Sequence, residues 1–126
     1  MKRAALAFML MAPAAAATDL PSQQTVQLHE VLVDAQDPLT FLRFRFIAPQ
    51  IAPGEEQLPF EVAEIDMLYL CETFVIPYMT EYELTGDRIV ISFMDQPIEF
   101  GAFDPDITQY FEAFRPDNGA CIWDGF

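Results

Sequence analysis

Few side chains in this chain combine a reactive type with a telling spacing. Cys71 and Cys121 are the only cysteines, and His29 is the only histidine. A redox pair built on one turn would show Cys-x-x-Cys, which is absent. A zinc site would need more ligands than one histidine and two cysteines supply. The pair therefore reads as one structural disulfide, with an intermolecular bridge as the alternative. Closing the loop between 71 and 121 should stabilise a fold by roughly 3–5 kcal/mol on the chain-entropy model. His29 stands without a nucleophile or a second histidine, so it reads as a half-exposed strand histidine. Glu72 and Glu112 could serve a carboxylate-dependent hydrolase, but acidic residues number 20 here and any such pair is common. Asp104-x-Asp106 resembles the start of a calcium loop, yet the glycine and the closing glutamate are missing.

Arg43 and Arg45 share one face of a strand and could grip a carboxylate or phosphate. The alternative is cross-strand ion pairs with neighbours such as Glu30, and the abundance of acids favours it. Replacing both arginines by glutamine is expected to leave folding nearly intact. Phe100 and Phe103 sit among acids in an irregular stretch, and an exposed aromatic loop marks a contact site. These four residues are the interaction candidates. No catalytic, cofactor-binding or metal residue is assigned, and no cofactor is implied.

The stretch that must position them is Glu61–Tyr82, 22 residues long and too long for one ordinary strand. Ile65, Leu68, Cys71, Val75 and Met79 recur at helical spacing. So do Met67, Leu70, Phe74 and Tyr78. Two neighbouring stripes predict a wide apolar face and a largely buried helix. Glu61 and Glu64 suit its N-terminal end. Pro77 predicts a kink or an end near Ile76, and Gly86 a stop. Strands are predicted at 25–33, 40–47, 88–94, 107–115 and 120–123. The alternation in the first slips near His29-Glu30, which predicts a bulge. Asp34–Pro38 and Pro116–Gly119 read as turns, the latter through Asn118-Gly119. Residues 48–59 and 95–106 read as loops.

Residues 1–17 have the layout of a secretory signal peptide. Lys2 and Arg3 precede an apolar run, and small residues end at Ala17. Residues 18–24 read as a flexible leader, and 25–126 as a single domain. Removing 17 residues from 126 leaves 109, a length that fits one domain. The processed chain keeps four arginines against 20 acidic residues, a net charge of −16. That charge repels nucleic acid and anionic lipid and keeps an exported domain dispersed. No membrane span is expected in the processed chain, and a monomer in the periplasm or medium is.

The segment Asp66-Met67-x-x-Leu70-Cys71-Glu72-Thr73 with Pro77, and the C-terminal run from Tyr110 to Trp123 with its Pro116-Asp117-Asn118-Gly119-x-Cys121, carry a resemblance. Over about residues 60–126 the chain resembles a small uncharacterised family of exported alphaproteobacterial proteins. Members are sometimes labelled acetolactate synthase. That label does not suit this chain, because a thiamine-diphosphate enzyme needs several hundred residues and a metal–diphosphate motif. The resemblance implies no activity and no site residues.

The expected fold is α+β: about five mainly antiparallel strands in the order β-β-α-β-β-β, one long helix on a face, and one disulfide. The expected function is a non-catalytic periplasmic binding or accessory module for an unknown protein or small ligand. The alternatives are a small carboxylate-dependent hydrolase and a salt-tolerant structural protein of the envelope.

Overall fold

The computed structural model describes residues 16–17 and 19–125. Residues 1–15, most of the expected signal peptide, lie outside the described residues. Ala16–Ala17 form a two-residue strand, β1, paired antiparallel with Gln27 and Val26. The remaining elements are β2 (Val26–Gln36), β3 (Leu39–Ile47), α1 (Phe60–Leu70), a π-helical turn (Cys71–Val75), α2 (Ile76–Glu81), β4 (Arg88–Met94), β5 (Gln109–Asp117) and β6 (Ala120–Trp123). The strands lie in one sheet in chain order. Every neighbouring pair is antiparallel except β3 and β4, which run parallel because the helix crosses between them. The α+β architecture and the order β-β-α-β-β-β are those expected from the sequence, with β1 added at the outer edge.

Alternation along the strands makes one face apolar. Leu42, Phe44 and Phe46 of β3 stand opposite Ile89, Ile91 and Phe93 of β4, and Phe114 continues the layer on β5. The helix covers these residues. Phe44 meets Tyr78 edge-on at 5.4 Å between ring centroids, and Phe46 meets Phe74 at 5.9 Å. The helix is less buried than its two stripes predict. Ala63, Met67, Leu70, Cys71, Val75 and Tyr78 face the sheet, whereas Ile65 is 57% exposed and Leu68 and Tyr69 are also outside. A helix lying on a sheet buries one strip of its surface, and that strip runs through Met67 and Leu70 into Cys71, Val75 and Tyr78, taking residues from both predicted stripes.

Pro77 does not end the helix but stands in the first turn of α2, just after the π turn. It has no N–H to give, and the π turn before it absorbs the change: Ile76 N–H donates to the Cys71 carbonyl five residues back. The helix ends at Glu81, and the residue that stops it is Glu83, not Gly86. Glu83 takes a left-handed φ of 56°. Its N–H donates to the Thr80 carbonyl and that of Leu84 to the Met79 carbonyl, closing a Schellman motif. Gly86 has another reason to be glycine: a Cβ there would stand 2.7 Å from Leu42 Cγ. The hairpin turns are tight. Gln36 pairs with Leu39 around Asp37-Pro38, so β2 runs further than expected. Asn118 and Gly119 both take positive φ between β5 and β6, as their types require. The bulge falls between Leu28 and Glu30, where the sequence places it.

Cys71 and Cys121 are joined, with 6.2 Å between their Cα atoms, tying the π turn to β6. Glu72 adds a second tie, its Oε2 accepting from Cys121 N–H at 3.0 Å. Five residues before the bridge, within α1, Asp66 is fully buried. It accepts from Ser22 N–H at 3.0 Å, from the Ser22 hydroxyl, and from Gln24 Nε2 at 2.8 Å. Leu20 and Gln24 are buried as well. The segment read as a loose leader is thus anchored under the helix by an apolar side chain and a charge-assisted cluster.

Candidate functional site

The helix leaves the other sheet face to be covered by something else. On β3 that face carries Phe41, Arg43 and Arg45. In register, Arg45 lies between Glu30 and Ser92, and Arg43 between Leu32 and Val90. Arg45 is nearly buried. It donates to Glu30 Oε2 at 2.9 Å, to the Ile98 carbonyl at 2.8 Å and to Met94 Sδ at 3.5 Å. Arg43 donates from Nε to Asp34 Oδ2 at 2.9 Å. Both cross-strand ion pairs weighed from the sequence are therefore formed. Glutamine at both positions would strand two largely buried carboxylates, so the double change would not leave folding intact.

The loop after β4 folds back over these cations. Its ends are clamped by Asp95, whose N–H donates to the Thr108 carbonyl and whose Oδ1 accepts from Thr108 N–H. Phe100 lies 5.3 Å from the Arg43 guanidinium and 5.6 Å from that of Arg45. Phe41 lies 5.2 Å from Arg43, so that guanidinium contacts two rings. Phe103 remains 82% exposed.

All four interaction candidates, Arg43, Arg45, Phe100 and Phe103, border one cavity of about 280 Å³, with Gln109 and Phe111 on its wall. A second cavity of about 470 Å³ is bordered by Arg43, Phe60, Val90, Gln109, Tyr110 and Phe111. The two share Arg43, Gln109 and Phe111. Among the described residues, the only hydrogen bond of the Arg43 guanidinium is the one from Nε. Tyr110 is held edge-on to Phe60 at 5.5 Å, and its hydroxyl donates to the Leu58 carbonyl at 2.7 Å. Burial, and then the negative charge of Glu61, push that hydroxyl above its ordinary value, keeping it a neutral donor.

Sequence reasoning missed Phe41, Val90, Gln109 and Phe111. The signal was present for two of them: strand alternation places Phe41 with Arg43, and Phe111 away from Tyr110 and Phe114. The other residues singled out are scattered. His29 is exposed at the bulge. Glu72 serves the β6 backbone, while Glu112 is buried on the helix-covered face opposite Ile91. Asp104 Oδ1 accepts from Asp106 N–H, a local turn. Among the described residues no three His, Cys, Asp or Glu side chains form a metal-holding group, and no helix is long and apolar enough to cross a membrane.

Comparison with curated proteins and with solved structures found no match. A family model does match, over residues 5–126 and so almost the whole chain, and by that match the protein belongs to a family of unknown function, DUF6497.

Proposed function

We propose that this is an exported, non-catalytic binding module whose recognition surface is the helix-free face of the sheet. The observation that carries the reading is the convergence of Arg43, Arg45, Phe100 and Phe103 on one cavity, beside a second cavity with Arg43 in its wall. A face needed only for packing would be expected to close over its aromatic residues. Here Phe100, Phe103 and Phe111 stay open to solvent. Binding sites combine such apolar walls with a few placed polar groups. The Cys71–Cys121 bridge supports export, because structural disulfides persist in oxidising compartments.

The test is a comparison of ligand and partner binding between the wild-type chain and Phe103→Ser/Phe111→Ser, two exposed positions whose loss should leave the core intact. A ligand or partner held by the wild type and lost by the double variant supports the reading. Binding indifferent to these changes and to Arg43→Gln overturns it. Turnover removed by Glu112→Gln or Glu72→Gln would put a hydrolase in its place.

A further inference from the structure

Given a binding role for the helix-free face, on which this inference rests, we infer that the Arg43 cavities take a small monocarboxylate with an apolar body. The guanidinium presents five N–H donors in a planar fork. Nε is committed to Asp34. The two terminal nitrogens keep their four N–H groups, two of which lie parallel on the edge between them, and Arg43 borders both cavities. Two parallel N–H donors on one edge match the two oxygens of a carboxylate. Phe41 and Phe100 already hold the guanidinium plane, so less ordering remains to oppose binding.

The charge balance selects a single negative charge. Arg43 and Arg45 are each paired with a carboxylate, Asp34 and Glu30. With both cations paired, the site offers an anion hydrogen-bond donors and no net positive charge, so each added negative charge is uncompensated in a strongly acidic chain and a phosphate dianion is disfavoured more than a monoanion. A monocarboxylate needs only the free guanidinium edge. Its body would lie against Val90 and Phe111 of the helix-free face and against Phe60 of α1 and Tyr110 on the helix side, so the larger cavity, chiefly apolar, extends past the edge of that face. That cavity, about 470 Å³, falls in the ordinary range for small-ligand pockets. A free acid and the last residue of a peptide present the same chemistry.

Calorimetric titration of the oxidised chain tests the assignment with five probes: 4-phenylbutyrate, its primary amide, inorganic phosphate, N-acetyl-Ala-Phe and that dipeptide's amide. At least one carboxylate should bind at least about tenfold more tightly than its amide, a difference of about 1.4 kcal/mol, and phosphate should not compete. Preference for the free acid identifies a small metabolite, and preference for the dipeptide identifies a chain terminus. Arg43→Gln should remove the discrimination. Because that change leaves Asp34 unpaired, Gln109→Glu provides a second variant, setting a repelling charge on the shared wall. It should weaken the acid and spare the amide. Equal binding of acid and amide would overturn the carboxylate assignment while leaving the face a binding site. Tighter binding of phosphate, or no binding by any carboxylate, would overturn it too. Failure of the binding reading itself would show in the Phe103/Phe111 comparison instead.

Discussion

Arg43 and Arg45 are two residues apart, on one strand face, each with an acidic partner, yet they do different work. The Arg45 side chain is 4% exposed and that of Glu30 13%, so neither partner can recover water if the other is removed. Arg45→Gln should cost about 3 kcal/mol or more. The Arg43 side chain is 21% exposed and uses one donor on Asp34, which also accepts from Gln36 Nε2. Its partner Asp34 is only 3% exposed but keeps the Gln36 hydrogen bond, so Arg43→Gln should cost about 2–3 kcal/mol, less than Arg45→Gln. Urea denaturation of the two variants measures both, with unchanged slopes marking a change in stability alone. Equal, small losses would show that Arg45 is solvated and that the Phe100 loop does not seal it. Arg45 thus fixes the loop, and Arg43 is the cation left able to meet a ligand.

The helix is held at two points by elements far away in sequence, and each attachment makes a prediction. At the π turn, the disulfide and the Glu72 hydrogen bond both act on Cys121. Reduction should lower the melting temperature by several degrees or more, since about 1 kcal/mol moves a domain of this size by roughly 4–8 °C. Glu72→Gln should cost less, on the order of 1 kcal/mol, because the glutamate is exposed and the amide oxygen can still accept. Reduction and Glu72→Ala should be non-additive, because the bridge is what keeps Cys121 N–H beside residue 72. Additive effects would mean that β6 holds its place without the bridge. At Asp66, the anchors Leu20, Ser22 and Gln24 all lie beyond the expected cleavage point. A chain beginning at Thr18 should therefore melt cooperatively. A chain beginning at Thr25 should lose about 2 kcal/mol or more, since it strands the buried Asp66 carboxylate. Circular dichroism melts of the two truncations decide this, and identical melting would show that the leader contributes nothing.

For the molecule as a whole, charge is the dominant feature. Arg43, Arg45 and Arg88 are in ion pairs with Asp34, Glu30 and Asp124. Of the four arginines that follow residue 17, Arg115 alone stands outside these three pairs among the described residues. The rest of the acidic charge repels itself across the surface. Raising sodium chloride from about 10 mM to about 0.5 M shortens the screening length several-fold. The melting temperature should rise by several degrees, and a fall would mean that the ion pairs outweigh the repulsion. The same field disfavours polyanionic partners more than singly charged ones.

Local pattern settled much of this fold. Period-2 alternation marked β3, β4 and β5 and the face each side chain would take. Asn118-Gly119 marked a turn that only positive φ allows, and the slip at His29-Glu30 marked the bulge. Two cysteines without other ligands pointed to one bridge. These features were legible because each depends on residues close along the chain. What remained hidden depended on contacts across it. The helix buried one strip, drawn from both predicted stripes, and left Ile65 and Leu68 outside because a sheet offers one surface. Pro77 was tolerated because the preceding turn widened to i+5 hydrogen bonding, which the proline alone does not dictate. The leader was ordered by Asp66, about 40 residues away, and the only clue was a carboxylate set within an apolar stretch. The sequence could nominate Arg43, Arg45, Phe100 and Phe103 by rarity and exposure. Only the fold could seat the Phe100 loop on the two cations and supply Val90, Gln109 and Phe111, because that wall is assembled from three strands and a loop whose proximity no local spacing encodes.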